Sequence, residues 1–236
     1  MAPGFSTMIE DPARLCRHGH DRPRVLGVAT RLRDDDQSRH VFDLTAALRE
    51  RGFDTRLVWG SSGTDARAID PPPWMAHTYL PWLSPEIRPG DDLRALTAIA
   101  GIMRRWKPDV VHTHLAKAGA LGRVVAQRVG VPVIVHTFSE RLWREYRSAM
   151  RNATFARIER KLAGRTDALI ASTPWLRDEL LSLGIGRAGQ WHVVPADAHV
   201  SDLVDLYQDL LTDTRPVRSA QPERVSPPML PRHVPA

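Results

Sequence analysis

Residues 107–138 read KPDVVHTHLAKAGALGRVVAQRVGVPVIVHTF, and the order of patterns within them decides the fold. Asp109–His114 is apolar through its middle, as a strand covered on both faces must be. Lys117–Val129 follows as a helix, with Leu121, Val125 and Val129 facing inward and Gly130 closing it. Val131–Thr137 is the next strand. Strand, helix and strand joined this tightly predict neighbouring parallel strands with the helix packed over them.

The alternation extends outward in both directions. Upstream, Arg24–Thr30 is a first strand, and Ser38–Arg51 is a helix carrying Val41, Leu44 and Leu48 on one face. Thr55–Trp59 and Thr78–Trp82 are further strands. Asp91 and Asp92 open a helix where acid is favoured, and Leu93, Leu96, Ala100 and Met103 make its inner stripe. Downstream, Phe155, Ile158 and Leu162 mark a helix, and Asp167–Ser172 is a strand. Thr173 caps a helix with Pro174 in its first turn and Gly184 just beyond its end; Trp191–Pro195 is a short last strand. The fold class is therefore α/β, a parallel sheet with helices on both faces. Ligands of such sheets bind beyond the carboxyl ends of the strands. That directs attention to Arg31–Ser38, His112–Lys117, Thr137–Trp143 and Ser172–Trp175.

Composition sets the outer limits. The 236 residues, 42% of them apolar, suffice for a buried core. The single cysteine, Cys16, excludes an intrachain disulfide framework and fits a reducing compartment. Residues 1–23 carry no apolar signal region, and no stretch approaches a membrane span, so the expected place is the cytoplasm, with contact to the inner membrane face limited to its surface. The leader 1–23 and the Pro-rich tail 214–236 are expected to be disordered around a domain at 24–213. The formal charge of +6 invites a nucleic-acid reading, but only three of the 33 basic residues are lysines. That skew is the signature of GC-rich codon usage, and no nucleic-acid motif accompanies it.

Four segments resemble family 4 glycosyltransferases of the GT-B fold: residues 31–53, 107–138, 158–195 and 200–211. The resemblance implies a Rossmann-like domain that holds the acceptor. In relatives a second such domain holds the nucleotide-sugar, usually with a glutamate pair, and the last helix returns to the first domain. Here residues 24–195 look like the first domain, and the chain then passes almost directly to a helix at 199–212. Val200, Leu203, Val204, Tyr207, Leu210 and Leu211 give that helix its apolar stripe. No glutamate lies between Glu179 and Glu223, so the donor-binding pair has no candidate.

Two departures fall within the first domain. The glycine-rich loop of relatives is here Asp34-Asp35-Asp36-Gln37, whose carboxylates repel phosphate. Relatives often read His-Thr-Phe-His-Gly-His after the fifth strand, where this chain reads His136-Thr137-Phe138-Ser139-Glu140-Arg141. No catalytic residue is therefore expected, and no cofactor. The candidate acceptor or anion site is Arg39, His40, His112, His114, Lys117 and Gly119, with Thr137, Ser139 and Glu140 lining the cleft. Each has a plainer alternative: packing for the two histidines, a solvated helix start for Lys117, solvent exposure for Arg39. His112 and His114 share a face, but no third ligand at suitable spacing makes a metal site. Arg141, Arg144, Arg147 and Arg151 beside Trp143 and Tyr146 read either as an anionic-membrane surface or as an exposed helix face.

The expected function is a glycosyltransferase-like protein that does not transfer sugar alone, either a degenerate copy or the acceptor-binding half of a split enzyme. The alternative is a non-enzymatic module for a membrane surface or a protein partner. Expected partners are a separate donor-domain chain or a second copy.

Overall fold

A computed structural model of the chain describes residues 18, 20–62, 68–139, 143, 153–195 and 201–213. Most of the leader, the tail from residue 214, Glu140, Arg141, Arg144, Tyr146, Arg147, Arg151 and Val200 lie outside the described residues.

Seven strands form one parallel sheet in the order β3-β2-β1-β4-β5-β6-β7. They are β1 Arg24–Ala29, β2 Asp54–Gly60, β3 His77–Leu80, β4 Val110–His114, β5 Val133–Phe138, β6 Ala168–Ala171 and β7 Trp191–Val193. The helices are α1 Asp36–Glu50, α2 Pro89–Trp106, α3 Ala116–Val129, α4 Ala153–Ala163, α5 Pro174–Ser182 and α6 Ser201–Asp213. The strand order reverses between β1 and β4, which makes their carboxyl ends the switch point of the sheet.

Alternation along each strand feeds two cores. On one face Leu26, Val28, Val58, Val111 and Ile134 pack against α2 and α3. On the other, Val25, Val110, Val133, Val135, Ala168 and Ile170 pack against α1 and α6. Acids just before two strands tie neighbours together: buried Asp109 accepts the Arg24 N–H at 2.9 Å, and exposed Asp167 accepts the Ile134 N–H at 2.7 Å.

The start of α5 follows its sequence signal, whereas α1 begins at Asp36, two residues before the expected Ser38. Asp35 caps α1, its carboxylate accepting the Ser38 N–H at 3.0 Å, and Thr173 caps α5 through the Leu176 N–H at 3.2 Å. The α1 stripe of Val41, Leu44 and Leu48 is buried as its spacing predicts. Two stripes differ from expectation. In α2, Leu93 is 66% exposed and the core is filled by Ala95, Ile99, Ala100, Ile102 and Met103. In α4, Ile158 is 48% exposed, while its neighbour Glu159 is fully buried.

Glu159 is buried because Arg123 of α3 meets it. Arg123 Nη2 donates to both carboxylate oxygens, at 2.8 and 2.7 Å, and Nε donates to the Gly119 carbonyl at 2.9 Å. Both side chains are shielded from water, so removing one leaves an uncompensated buried charge. Glu159→Gln is expected to cost about 3–5 kcal/mol in urea unfolding. Replacing both partners together, as Arg123→Met with Glu159→Leu, is expected to cost clearly less in the same measurement.

The connection from β7 to α6 spans only residues 194–200, so no second sheet is inserted there. The helix buries Leu203, Val204, Tyr207 and Leu211 against β4, β5 and β6 and touches α1, and Arg51 bonds Asp205 at 3.1 Å. Four apolar anchors at about 1.5–3 kcal/mol each make this contact far larger than the exposed ion pair beside it. Leu203→Ala should lower unfolding free energy by about 2–5 kcal/mol, read from the urea midpoint at unchanged slope.

Candidate functional site

Every strand is parallel, so the loops that follow them gather at one edge of the sheet. At the switch point that edge is closed. Ala29, Arg31, Leu32, Arg33, Asp35, Gln37, Ser38, His114 and Leu115 surround a pocket of only about 20 Å³, room for one water. The acidic run builds this closure. Asp35 is consumed as the α1 cap, and Asp34 pairs with exposed Arg39 at 2.6 Å. Ser38 Oγ accepts the Arg33 N–H at 3.0 Å. The buried Gln37 amide nitrogen, without a hydrogen-bond partner, is the polar group left at this pocket for a ligand oxygen. His40 is half-buried beside the same helix start, and burial lowers its pKa against the opposing charge of Asp43.

The three histidines of β4 and β5 are core residues. His112 is fully shielded, with Nε2 2.7 Å from Thr137 Oγ1 and Nδ1 bonded to the Tyr207 hydroxyl of α6. Both ring nitrogens are used, so His112 has none left for an acceptor. His114 stacks on it, with ring centroids 4.0 Å apart, and borders the switch-point pocket. His136 Nδ1 lies 3.0 Å from the Thr113 carbonyl oxygen, which only accepts, so the proton sits on Nδ1. Among the described residues, no group of three or more potential ligands is placed to hold a metal ion.

Burial is the first cause of low basicity in all three. It depresses His112 well below the ordinary histidine range, helped by the neighbouring His114 and His136. It lowers His114 to about 3. It depresses His136 too, with the Arg123 charge adding to the effect.

Lys117 and Gly119 are also occupied by the fold. The Lys117 ammonium pairs with Asp92 and the Glu86 carbonyl, latching the start of α3 to the start of α2. A Cβ at Gly119 would lie 2.4 Å from the His136 ring, so glycine is what lets α3 close over that histidine. Between β4 and α3, Leu115 takes a left-handed φ of 67°, an unfavourable conformation for a γ-branched residue. Thr30 Oγ1 accepts the Ala118 N–H at 3.0 Å, removing one more amide from any anion.

At the end of β5, Thr137 and the following Ser139 are half-buried beside His136, Trp143, Phe155 and Glu159, around a second space of about 20 Å³. Trp143 is 1% exposed and packs with Phe138 and Leu176, so its indole is core and not part of a membrane-facing surface. Glu140 and the arginines after it lie outside the described residues.

The sequence reading missed several residues of this edge: Asp92 as the Lys117 partner, Leu115 as the strained junction, and Tyr207 as the His112 partner. Glu159 was legible only as a charge whose neighbours three and four residues away, Phe155, Ala156, Leu162 and Ala163, are apolar, and Arg123 as a charge among Gly119, Ala120 and Ala126. That signal becomes specific once the two helices are known to touch.

Tyr207→Phe removes the partner of a buried ring nitrogen and is expected to cost about 1–3 kcal/mol of unfolding free energy. The histidines also set an acid limit. Their folded pKa values lie below the unfolded value, so below about pH 6.5 the unfolded chain binds the extra protons. Stability is then full above pH 6.5 and falls towards the low folded pKa values, by up to about 1.4 kcal/mol per pH unit for each histidine. Urea midpoints between pH 7.5 and 4.5 check this, and His114→Gln should flatten the slope.

Among the described residues, no helix is long and apolar enough to cross a membrane. A 90-residue stretch is 34% identical to the Escherichia coli UDP-Gal:alpha-D-GlcNAc-diphosphoundecaprenol alpha-1,3-galactosyltransferase, covering 38% of this chain and 23% of that protein. The fold is similar to a chain of sucrose-phosphate synthase from Thermosynechococcus elongatus, with a TM-score of 0.57 at 17% identity over 79% of this chain and 98% of that one. Against a longer chain of the same enzyme the TM-score is again 0.57, at 18% identity, but the match spans 74% of this chain and 48% of the other. The glycosyl transferase 4-like domain model matches residues 37–197. With that match laid over this sheet and its returning helix, the chain belongs to the glycosyl transferase 4-like family as a single Rossmann-like domain, one half of a GT-B fold.

Proposed function

We propose that this chain is the acceptor-side half of a sugar transferase and does not complete transfer by itself. The observation that carries the reading is the short passage from β7 to α6. The returning helix is present and packed, yet the residues before it hold no second sheet to grip a nucleotide-sugar. Two features support it. The switch-point crevice is filled by the Asp35 cap and Leu32, where an activated sugar would need space and free amides. No imidazole stands immediately after β5, where Ser139 and Glu140 follow Phe138 in the sequence.

The donor wall then comes from a separate chain, and the edge that would meet it carries exposed apolar side chains. Trp82 follows β3, Trp175 opens α5, and Ile87 and Leu93 flank the start of α2; all four are at least 39% exposed. Exposed apolar groups in loops at a sheet's carboxyl edge favour a covering partner. By the pattern of the Escherichia coli relative, whose name gives it a lipid-diphosphate-linked sugar as acceptor, the acceptor here is a sugar on an anionic lipid carrier. Such an acceptor places the chain at the inner membrane face. The degenerate-copy reading shares the filled crevice but needs no partner.

The test is sugar transfer by the purified full chain, alone and mixed with an isolated donor-binding domain of the same family. Transfer is expected only in the mixture, and Ile87→Asp with Trp82→Asp should abolish it while leaving the melting temperature unchanged. Turnover by the chain alone would overturn the proposal. No turnover with any donor domain, with no association by sedimentation, would favour the degenerate copy.

A further inference from the structure

A roomier cavity lies at the other end of the sheet. It measures about 390 Å³, against about 20 Å³ for each pocket at the carboxyl edge. It opens below the amino ends of β1 and β2, between the approach to β1, the end of α1 and the approach to β3. Nothing in the reaction of a sugar transferase, as argued above, uses this end.

Its walls are chemically specific. Arg22, Arg24 and Arg49 line it, against the carboxylates Asp21 and Asp54. Arg24 is fixed in place: Nη1 donates to the Trp106 carbonyl at 2.7 Å, and Nε lies 3.4 Å from Asp54. Arg49 is fixed by the Trp74 carbonyl, and its guanidinium carbon sits 5.2 Å from the Trp74 ring centroid. Each guanidinium has five N–H donors, so both keep donors to spare after these bonds. Arg22 is exposed and has no partner among the described residues. The two fixed arginines therefore cost little to order when an anion arrives.

Two further groups point to an organic ligand rather than a bare ion. The Trp74 indole is 45% exposed at the wall, a flat surface for stacking a ring. Thr55 is 6% exposed, and its buried hydroxyl, among the lining groups, has no hydrogen-bond partner. A buried hydroxyl without a partner is costly unless a ligand or water supplies one. The volume falls in the range of small-molecule sites, about 300–1,000 Å³.

We infer that this cavity binds a small phosphate ester with a flat ring, of mononucleotide size, its phosphates among Arg22, Arg24 and Arg49 and its ring on Trp74. Planar guanidinium forks match phosphate oxygens two at a time, which favours phosphate over a single carboxylate. The site is remote from the carboxyl edge, so it stands or falls separately from the split-transferase reading.

Isothermal titration of the full chain with ADP, inorganic pyrophosphate and adenosine tests the assignment. ADP is expected to bind saturably with a Kd of about 1 mM or tighter, pyrophosphate more weakly, and adenosine weakest. Arg22→Ala should weaken both phosphate ligands by about tenfold. Trp74→Ala should weaken ADP clearly more than pyrophosphate, which loses only the ring contact that helps to hold Arg49, and Trp74→Phe should restore most of the loss. Melting curves of each variant show that the fold persists; Arg22→Ala changes an exposed side chain and carries the test if Trp74→Ala does not fold. No saturable binding of ADP overturns the inference, and so does binding that neither substitution weakens. A response to Arg22→Ala with none to Trp74→Ala overturns the ring assignment and reduces the site to phosphate alone.

Discussion

A parallel sheet presents two apolar faces, and water must be kept from both. Helices α2 to α5 close one face with short crossovers that the local sequence supplies. The other face, over β4, β5 and β6, is closed by a helix from the far end of the chain. Val110, Val133, Val135, Ala168 and Ile170 are buried there with Leu203, Val204, Tyr207 and Leu211. Without α6 these strand residues would face solvent, so the returning helix is part of the domain's core. This is the physical sense in which half of a two-domain architecture stands as a unit.

The same contact reaches the chemistry. Tyr207 bonds His112, His112 bonds Thr137, and His114 stacks on His112 towards the switch point. His112 is thus held by the closing helix rather than offered to a ligand. The carboxyl edge shows the same economy of donors elsewhere. Lys117 is neutralised by Asp92, the Ala118 amide is taken by Thr30, and the α1 start is capped by Asp35. Apart from the Gln37 amide nitrogen, the polar groups named here that would greet an anion already have an internal partner, and the space before them holds about one water. The larger polar cavity, with its arginines and unpartnered hydroxyl, sits at the opposite end.

Parts of this were legible from the chain alone. Period-two and period-3.6 patterns gave seven strands and the helices between them to within a few residues, because those patterns depend on local geometry. The caps Asp35 and Thr173 differ in how they were read. Thr173 before Pro174 reads as a cap, whereas the aspartate run reads as a loop, and α1 begins at Asp36, two residues before the Ser38 start expected. The stripes of α2 and α4 slipped because hydrophobicity was taken as a guide to facing. Leu93, the fifth residue of α2, is left exposed near the helix start, and Ile158 points outward because Glu159 is matched by Arg123 across the helix interface.

What the sequence determined by itself was the alternating α/β architecture, its family resemblance, and the short passage between the last strand and the last helix. These rest on spacing along the chain, which needs no knowledge of partners. What only the tertiary structure decided was the role of each polar side chain. In the sequence His112, Lys117 and Gly119 are candidates for an anion site, and Trp143 for a membrane surface or an exposed helix face. The structure places these four against Tyr207, Asp92, His136 and Leu176 in turn. A side chain's chemistry depends on burial and on the atoms that meet it, and those come from residues as far apart as 112 and 207.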